Sequence, residues 1–365
     1  MTFFSLLRDN QLTINRSRPR ADHLRDAVRT SAVSMGMDAY HLDASTIPAA
    51  HPVNRDSTFA ALVDSVVFNH SGPGIKFMSL THTRYDPDGG DRRVTAWLDR
   101  LASRDHHLLE RLDVNIGAAV HKSPSLFRST TLVDLRLVIH AAARGLDDGA
   151  VHLPLLRRLC LEHTGFRSST HFQKLVDGCP LLEMLHLRYT VIARREDTAV
   201  GIEIRSPALR RVVLEGCVGY GMVPLEVSAP NVEEFVLSGR NVVAVENAGI
   251  RRLVARKVSL LMDDKTCFYH MFAPFLNVGT NMARIMSGFH GVVELAISGW
   301  CIEYLSRIVD SINLPDQWEI EVLRVEGMWP NQGQAGIVMH LLRSSPWLRS
   351  LFITNEVGHI ASLPS

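Results

Sequence analysis

The side chains of this chain best suited to chemistry are its 17 histidines and five cysteines. A metal needs several such groups converging, and zinc sites show it in short Cys or His spacings. His106 and His107 beside Asp105 are adjacent and end a helical stretch, which reads as a polar turn. His163 and His171 flank a loop near Cys160 and Cys179, but this spacing matches no standard zinc pattern. The stretch HSGPGIK, from His70 to Lys76, has the glycines and lysine of a phosphate-cradling loop without its full spacing, so it reads as a connection. No nucleophile-elbow, metalloprotease, phosphate-loop or EF-hand pattern occurs. The expectation is a protein without catalytic residues, cofactor or metal site.

The bulk composition narrows the remaining classes. Charged residues make up 21% of the 365 residues and the hydrophobic set 46%, as expected of a folded chain. A formal net charge of +1 gives no global field to attract nucleic acid or an acidic membrane, and neither is expected as a partner. No apolar run approaches the roughly 18 residues that span a bilayer. The opening MTFFSLLRDNQL lacks the basic start and apolar core of a signal peptide. Cys160, Cys179, Cys217, Cys267 and Cys301 are odd in number and far apart, which fits reduced, mostly buried thiols in an intracellular protein.

One pattern organises the chain: an apolar residue, two others, an apolar residue, one other, an apolar residue. It occurs at Leu109-Leu112-Val114, Leu132-Leu135-Leu137, Leu156-Leu159-Leu161, Leu182-Leu185-Leu187, Leu209-Val212-Leu214 and Val232-Phe235-Leu237. Successive first residues lie 23, 24, 26, 27 and 23 positions apart. Ile250-Leu253-Ala255 is a weak copy, and Val292-Leu295-Ile297, Ile320-Leu323-Val325 and Leu348-Leu351-Ile353 close the series. The last two apolar residues of each copy flank one outward residue, as on a short strand. A period in the twenties with this triplet is the mark of a leucine-rich repeat. Each unit has too little apolar surface to be stable alone, so units stack into a shared core.

The intervening segments supply the second layer. Phe172, Leu175 and Val176 form a helical stripe ended by Gly178 and Pro180. Met282, Ile285 and Met286 before Gly288, and Val338, Leu341 and Leu342 before Pro346, repeat that logic. The connection 189–208 reads as polar and irregular. No strand is evident in 256–291, where KTCFYHMFAPF reads as an insertion, and RREDTAV (194–200) reads as a solvated loop. The ideal repeat carries Asn or Cys three residues after its last leucine. Thr164, Thr190 and Trp300 stand there instead, and only Cys217 fits, so the usual ladder of side-chain hydrogen bonds is expected to be missing. Ahead of the first triplet, DSVVFNHSGPGIKFMSLTH suggests two short strands. Val94, Trp97, Leu98 and Leu101 mark a helix, and together these form a terminal cap.

The outward residues of the strands are the candidate binding face. They include the column Asp113, Arg136, Cys160, His186, Val213, Val236, Val254, Ala296, Arg324 and Phe352, flanked by Arg158 and Arg188 among others. Arginines beside exposed apolar residues have the composition of a protein interface. Arg136, Arg158, His186, Arg188, Val213, Val236, Arg324 and Phe352 are the residues expected to contact a protein target.

Across roughly residues 25 to 355 the chain resembles the plant F-box proteins with leucine-rich repeats and an FBD-type C-terminal region. The resemblance rests on RDAVRTSAVS (25–34), LDASTIPAAH, VDSVVFNHSGPGIKFMSLTH, FQKLVDGCPLLEMLHL and IVMHLLRSSPWLRSLFI. Of the F-box, the module that docks a Skp-type adaptor, Asp26, Ala27, Val28, Arg29, Thr30, Ser31 and Ser34 line up, and both flanks of that stretch are replaced. The resemblance implies an α/β leucine-rich-repeat solenoid: a curved parallel sheet on the concave side, helices and loops on the convex side, and an N-terminal F-box remnant. The expected divisions are a disordered start with the truncated F-box (1–40), an N-terminal cap (41–105), repeats (106–275) and an FBD-like repeat region (276–365). The implied role is recognition of a protein target within a Skp–cullin–F-box ubiquitin ligase. With the F-box incomplete, weak or absent adaptor binding is expected. A repeat protein that binds or sequesters targets outside the ligase is one alternative, and a small-ligand receptor using the concave face is another.

Overall fold

In a strand, neighbouring side chains point to opposite faces, so each apolar triplet commits two residues to the same side of a sheet. The computed structural model shows what that commitment builds. It describes residues 39–46, 52–69, 74–83, 90–103, 108–117, 123, 125–139, 151–166, 168–192, 202–217, 225–239, 250–262, 275–308, 318–328 and 331–355. The first strands are β1 (Ala39–Asp43), β2 (Phe77–His82), β3 (Arg111–Ile116), β4 (Asp134–Ile139), β5 (Arg158–Glu162) and β6 (Gly165–Phe166). Then come β7 (Met184–Arg188), β8 (Val191–Ile192), β9 (Ile202–Arg205), β10 (Arg211–Glu215), β11 (Leu225–Ser228) and β12 (Glu234–Ser238). The last are β13 (Ile250–Val254), β14 (Lys257–Leu261), β15 (Phe289–His290), β16 (Glu294–Ser298), β17 (Val322–Met328) and β18 (Ser350–Asn355). The helices are α1 (Pro52–Asn69), α2 (Gly90–Ala102), α3 (Ser169–Asp177), α4 (Phe275–Ser287), α5 (Gly299–Ser306) and α6 (Gln332–Arg343).

Twelve strands form one parallel sheet in the order β1-β2-β3-β4-β5-β7-β10-β12-β14-β16-β17-β18. One row of the covered face runs in register through Leu112, Leu135, Leu159, Leu185, Val212, Phe235, Val258, Leu295 and Leu323, all buried. A second row follows two residues on, through Val114, Leu137, Leu161, Leu187, Leu214, Leu237, Leu260, Ile297 and Val325. The chain is an α/β leucine-rich-repeat solenoid. Leu351 departs from expectation: it continues the first row but is 41% exposed, because β18 is the last strand among the described residues and nothing described covers it.

Behind the sheet the second layer changes character along the chain. Helices serve the two ends, with Phe172, Leu175 and Val176 of α3 and Met282, Ile285 and Met286 of α4 buried as their stripes require. In the middle a separate parallel sheet, β15-β13-β11-β9, takes the helices' place, so the 189–208 connection contains a strand. This also corrects two expectations within 250–291. Ile250-Leu253 lies on β13 of the second sheet, and the main-sheet strand is β14, with Val258 and Leu260 buried. Ala255 fits both triplets, Ile250-Leu253-Ala255 and Ala255-Val258-Leu260, which is why the pattern is ambiguous there. KTCFYHMFAPF lies outside the described residues except for its last, Phe275.

At the N-terminal end, DSVVFN is helical and not a strand. Phe59, Val63, Val66 and Val67 fall on one face of α1 and are buried. Ile75-Met78-Leu80 is a further triplet, all three buried, and puts β2 in the main sheet. Asp64 of α1 accepts a hydrogen bond from Trp97 Nε1 of α2 at 2.6 Å and pairs with Arg93, joining the two helices. The missing asparagine ladder is filled by other donors. Thr190 Oγ1 donates to Leu161 O (3.3 Å), Cys217 Sγ to Leu187 O (3.3 Å) and Cys301 Sγ to Leu260 O (3.5 Å). Each satisfies a backbone carbonyl of a neighbouring repeat, as buried carbonyls require.

Candidate binding face

Three columns of side chains leave the open face of the main sheet. The central column runs in register as Ser79, Asp113, Arg136, Cys160, His186, Val213, Val236, Ser259, Ala296, Arg324 and Phe352. Ser259 stands where Val254 was expected, because Val254 belongs to β13 in the other sheet. The first flanking column reads Arg111, Asp134, Arg158, Met184, Arg211, Glu234, Lys257 and Glu294. The second includes Val138, Glu162, Arg188, Glu215 and Ser238. Adjacent strands lie about 4.8 Å apart, so the alternating signs in these columns become ion pairs between repeats.

Those pairs form a ladder. Arg158 meets Asp134 at 2.8 Å, Arg211 meets Glu234 at 2.8 Å, and Glu294 takes both Lys257 (3.5 Å) and Arg324 (2.8 Å). Burial works against the Glu294 carboxylate, but Arg324 and Lys257 outweigh it and hold its pKa below the usual value. A denser cluster sits over β3 to β10. Arg136 reaches Asp113 (3.2 Å) and Glu162 (3.6 Å), and Arg188 reaches Glu162 (3.2 Å) and Glu215 (3.0 Å). The Glu162 side chain is only 10% exposed, so these two arginines are what make its charge tolerable there. The arginines of this face therefore bridge neighbouring strands of the sheet. Truncating one would remove a partner from carboxylates on the adjoining strands.

Burial shifts the ionisable groups of this cluster. Burial pushes the Cys160 thiol up to about 11, outweighing the favourable influence of Arg136, so it is not a thiolate nucleophile. His186 lies 3.6 Å from Glu215, yet burial is the larger influence and lowers its pKa below the ordinary imidazole value. The conceivable zinc set does not converge: Cys160 is on the open face, Cys179 is buried in the core, and His171 Nδ1 bonds Ser168 Oγ at 2.6 Å. No group of three or more His, Cys, Asp or Glu side chains among the described residues could hold a metal ion. His106 and His107 lie outside the described residues, as do Asp26, Ala27, Val28, Arg29, Thr30 and Ser31 of the F-box stretch.

Between the charged regions the central column turns small and apolar. Val213, Ser259 and Ala296 are buried and Val236 is half-buried, with Ser259 between Val236 and Ala296. This is a strip of small side chains framed by paired charges. At the far end the Arg324 guanidinium lies 4.3 Å from the centre of the Phe352 ring. Arg136, His186 and Arg188 thus share one cluster, Arg158 lies one column away, Val213 and Val236 form the strip, and Arg324 and Phe352 form a separate pair.

The rim where the strands end holds an aromatic pair that sequence reasoning did not bring together. His163 and Tyr189 follow β5 and β7 with φ of 56° and 48°, where the equivalent residues after β10 and β12 are Gly216 and Gly239. Their rings stack at 5.1 Å, with the Arg188 guanidinium 5.1 Å from the Tyr189 centroid. A Cβ on Gly216 would stand 2.6 Å from the Tyr189 ring, so that glycine is needed for space as well as for its φ of 59°. The signal in the sequence was that His163 and Tyr189 occupy, in the two preceding repeats, the position taken by Gly216 and Gly239.

Comparison with known proteins agrees with this architecture. Residues 94–263 match the family model described as FBD-associated F-box protein At5g56370, LRR repeats. F-box/LRR-repeat protein At2g42730 of Arabidopsis thaliana is 26% identical over 252 residues, 68% of this chain and 52% of that protein. FBD-associated F-box protein At5g27750, from the same plant, is 33% identical over 120 residues, covering 31% of this chain and 26% of its own. F-box/FBD/LRR-repeat protein At1g51370 of Arabidopsis thaliana is 27% identical over 196 residues, 52% of this chain and 40% of that protein. The chain thus spans about half or less of the length of these relatives.

Proposed function

We propose that this chain, a relative of the plant F-box/leucine-rich-repeat/FBD-type proteins, recognises a protein target and does so as the substrate-binding subunit of a Skp–cullin–F-box ubiquitin ligase or a derivative of one. The observation that carries the reading is the open sheet face, a strip of Val213, Val236, Ser259 and Ala296 bordered by inter-repeat ion pairs. An apolar centre with a polar, charged rim is the anatomy of a protein interface. The reading is of an intracellular, non-catalytic binder, in which residues 25–34 are the stretch that resembles the adaptor-docking F-box and, with both its flanks replaced, bind an adaptor weakly or not at all. No helix among the described residues is long and apolar enough to cross a membrane.

Val236 is the best first probe, since the neighbouring arginines also bridge strands. Val236→Asp places a charge at the centre of the strip, and hot-spot losses of about 2 kcal/mol correspond to roughly thirtyfold weaker binding. Affinity capture from plant extract followed by mass spectrometry should show targets lost from Val236→Asp and retained by Gln173→Ala on α3, with both variants melting near the parent. The reverse pattern would overturn the site. Co-capture of a Skp-type adaptor, abolished by deleting residues 1–38 ahead of β1, would place the protein within the ligase. Capture of targets without adaptor would favour the sequestering role.

A further inference from the structure

The rim where the main-sheet strands begin carries a charge pattern of its own. The residue just ahead of β5, β7, β10, β12 and β14 is Arg157, Glu183, Arg210, Glu233 and Arg256 in turn. The register of these strands sets the five side by side in that order. Arg157 meets Glu183 at 2.7 Å, and Arg210 meets Glu233 at 3.2 Å. Both carboxylates are thereby taken. Arg256 is exposed and has no ion pair among the described residues. Its neighbour on the far side is Val293. Three cations thus stand against two anions, with the excess at the Arg256 end. The backbone of this rim is largely committed: Glu183, Arg210 and Glu233 donate their N–H groups to Arg157 O, Glu183 O and Arg210 O, and Pro207 O accepts from Asn231 Nδ2. Recognition here falls to the side chains.

The same turns enclose a groove of about 510 Å³, in which these charged groups meet Leu181, Pro207, Ala208, Pro230 and Val232. The turns that build it, 179–183, 206–210, 229–233 and 255–257, are described throughout. Leu181 is 42% exposed. We propose that this groove binds an extended segment of a partner protein, with one acidic side chain held by Arg256 and one apolar side chain seated against Leu181 and Pro207. A guanidinium presents a planar fork of donors that matches a carboxylate. A polyanion such as nucleic acid is disfavoured, because Glu183 and Glu233 stand at alternate repeats and would meet its phosphates. The geometry also fixes the spacing. Leu181 precedes β7 and Arg256 precedes β14, three strands further along the sheet, or about 14 Å at 4.8 Å per strand. Four residues of extended chain cover that distance at roughly 3.3 Å each, and residues four apart point to the same side. The recognised segment therefore carries its acidic and apolar residues four positions apart. This site stands on the groove and not on the open sheet face.

A phage-displayed library of random heptapeptides, selected on the immobilised full chain, should enrich sequences with Asp or Glu and a large apolar residue four positions apart. A synthetic peptide of the enriched sequence should bind the parent chain. Arg256→Glu should weaken it roughly tenfold or more, since a charge-assisted hydrogen bond is replaced by repulsion. Exchanging the peptide's acidic residue for Lys should restore its binding to Arg256→Glu. Leu181→Ser should also weaken the parent peptide, and Val236→Asp on the open face should leave it unchanged, which separates this groove from target recognition there. Arg256 and Leu181 are both exposed, so both variants should melt near the parent. The proposal is overturned if no peptide is enriched, if the enriched peptides lack an acidic residue, if Arg256→Glu binds them as the parent does, or if Val236→Asp loses them. Should Arg256→Glu fail to fold, Leu181→Ser decides alone: undiminished binding means that the groove is not the site.

Discussion

Leu185→Asp is expected to abolish cooperative folding. Leu185 lies midway along the main sheet, fully buried on β7 between Leu159 and Val212. The described residues beside it on the covered face, Leu159 and Val212, are apolar and offer a carboxylate no cationic partner, and burying it unpaired costs several kcal/mol even after it protonates. That is comparable with the roughly 5–15 kcal/mol that holds an ordinary domain together. Because repeats are stable only through their neighbours, damage in the middle also exposes the units on either side. Met184, one residue earlier, provides the contrast. It faces the open side between Arg158 and Arg211, so Met184→Glu should be tolerated and melt within about 1 kcal/mol of the parent. Urea unfolding followed by circular dichroism checks both. A soluble Leu185→Asp variant with a cooperative transition would contradict the assigned facing of β7.

Gly299→Ala is expected to destabilise the C-terminal part of the solenoid strongly for a single methyl group. Gly299 is buried where β16 passes directly into α5, and a Cβ there would stand 2.0 Å from Gly327 O, 2.7 Å from its carbonyl carbon and 2.9 Å from Met328 Cα. All three obstacles are backbone atoms of β17, so no side chain can rotate away. Relief requires α5 or β17 to move. Overpacking typically costs about 1–3 kcal/mol, and the upper end applies here. Gly336 on α6 has nothing within 4 Å of its Cβ position. Gly336→Ala should therefore gain stability, by about 0.4–1 kcal/mol, through helix propensity and a less disordered unfolded chain. Thermal melts of the two variants should move in opposite directions. An unchanged Gly299→Ala transition would show that β17 does not approach α5 so closely.

The contrast between Leu185 and Met184 also shows why so much of the fold was legible. Strand facing has a period of two, and a triplet fixes it locally, so Leu159, Leu185, Val212 and Phe235 could be placed without reference to distant residues. Placement failed where two readings were locally equivalent. Ala255 completes one triplet with Ile250 and Leu253 and begins another with Val258 and Leu260, and only the layer in which β13 and β14 pair separates them. Val66-Val67 has the β-branched character of a strand, but Phe59 and Val63 share their helical face, and burial of that face decides for α1.

The open sheet face was legible as a set of residues and not as an electrostatic object. Arg136 and Asp113 are 23 residues apart, and Arg188 and Glu162 are 26 apart, so neither pair is visible until neighbouring repeats are aligned. Aligning the triplets sets Asp134 beside Arg158 and Arg211 beside Glu234, with uncharged Met184 between the two pairs. Taken singly, the arginines read as free contacts, whereas within the sheet they neutralise carboxylates of adjoining strands. Leu351 failed for a different reason. Its position within its own repeat is that of a core residue, and its exposure follows only from what stands beside β18.

The central claim is that the open sheet face, not the helical side, meets the protein's target. Its most direct test is site-specific photocrosslinking in plant extract, with a photoreactive amino acid placed at Val236 on β12 in one sample and at Gln173 on α3 in another. The expected result is a discrete cross-link to another protein from position 236 and none in common from position 173. Discrete cross-links from position 173 with silence at 236 would contradict the account.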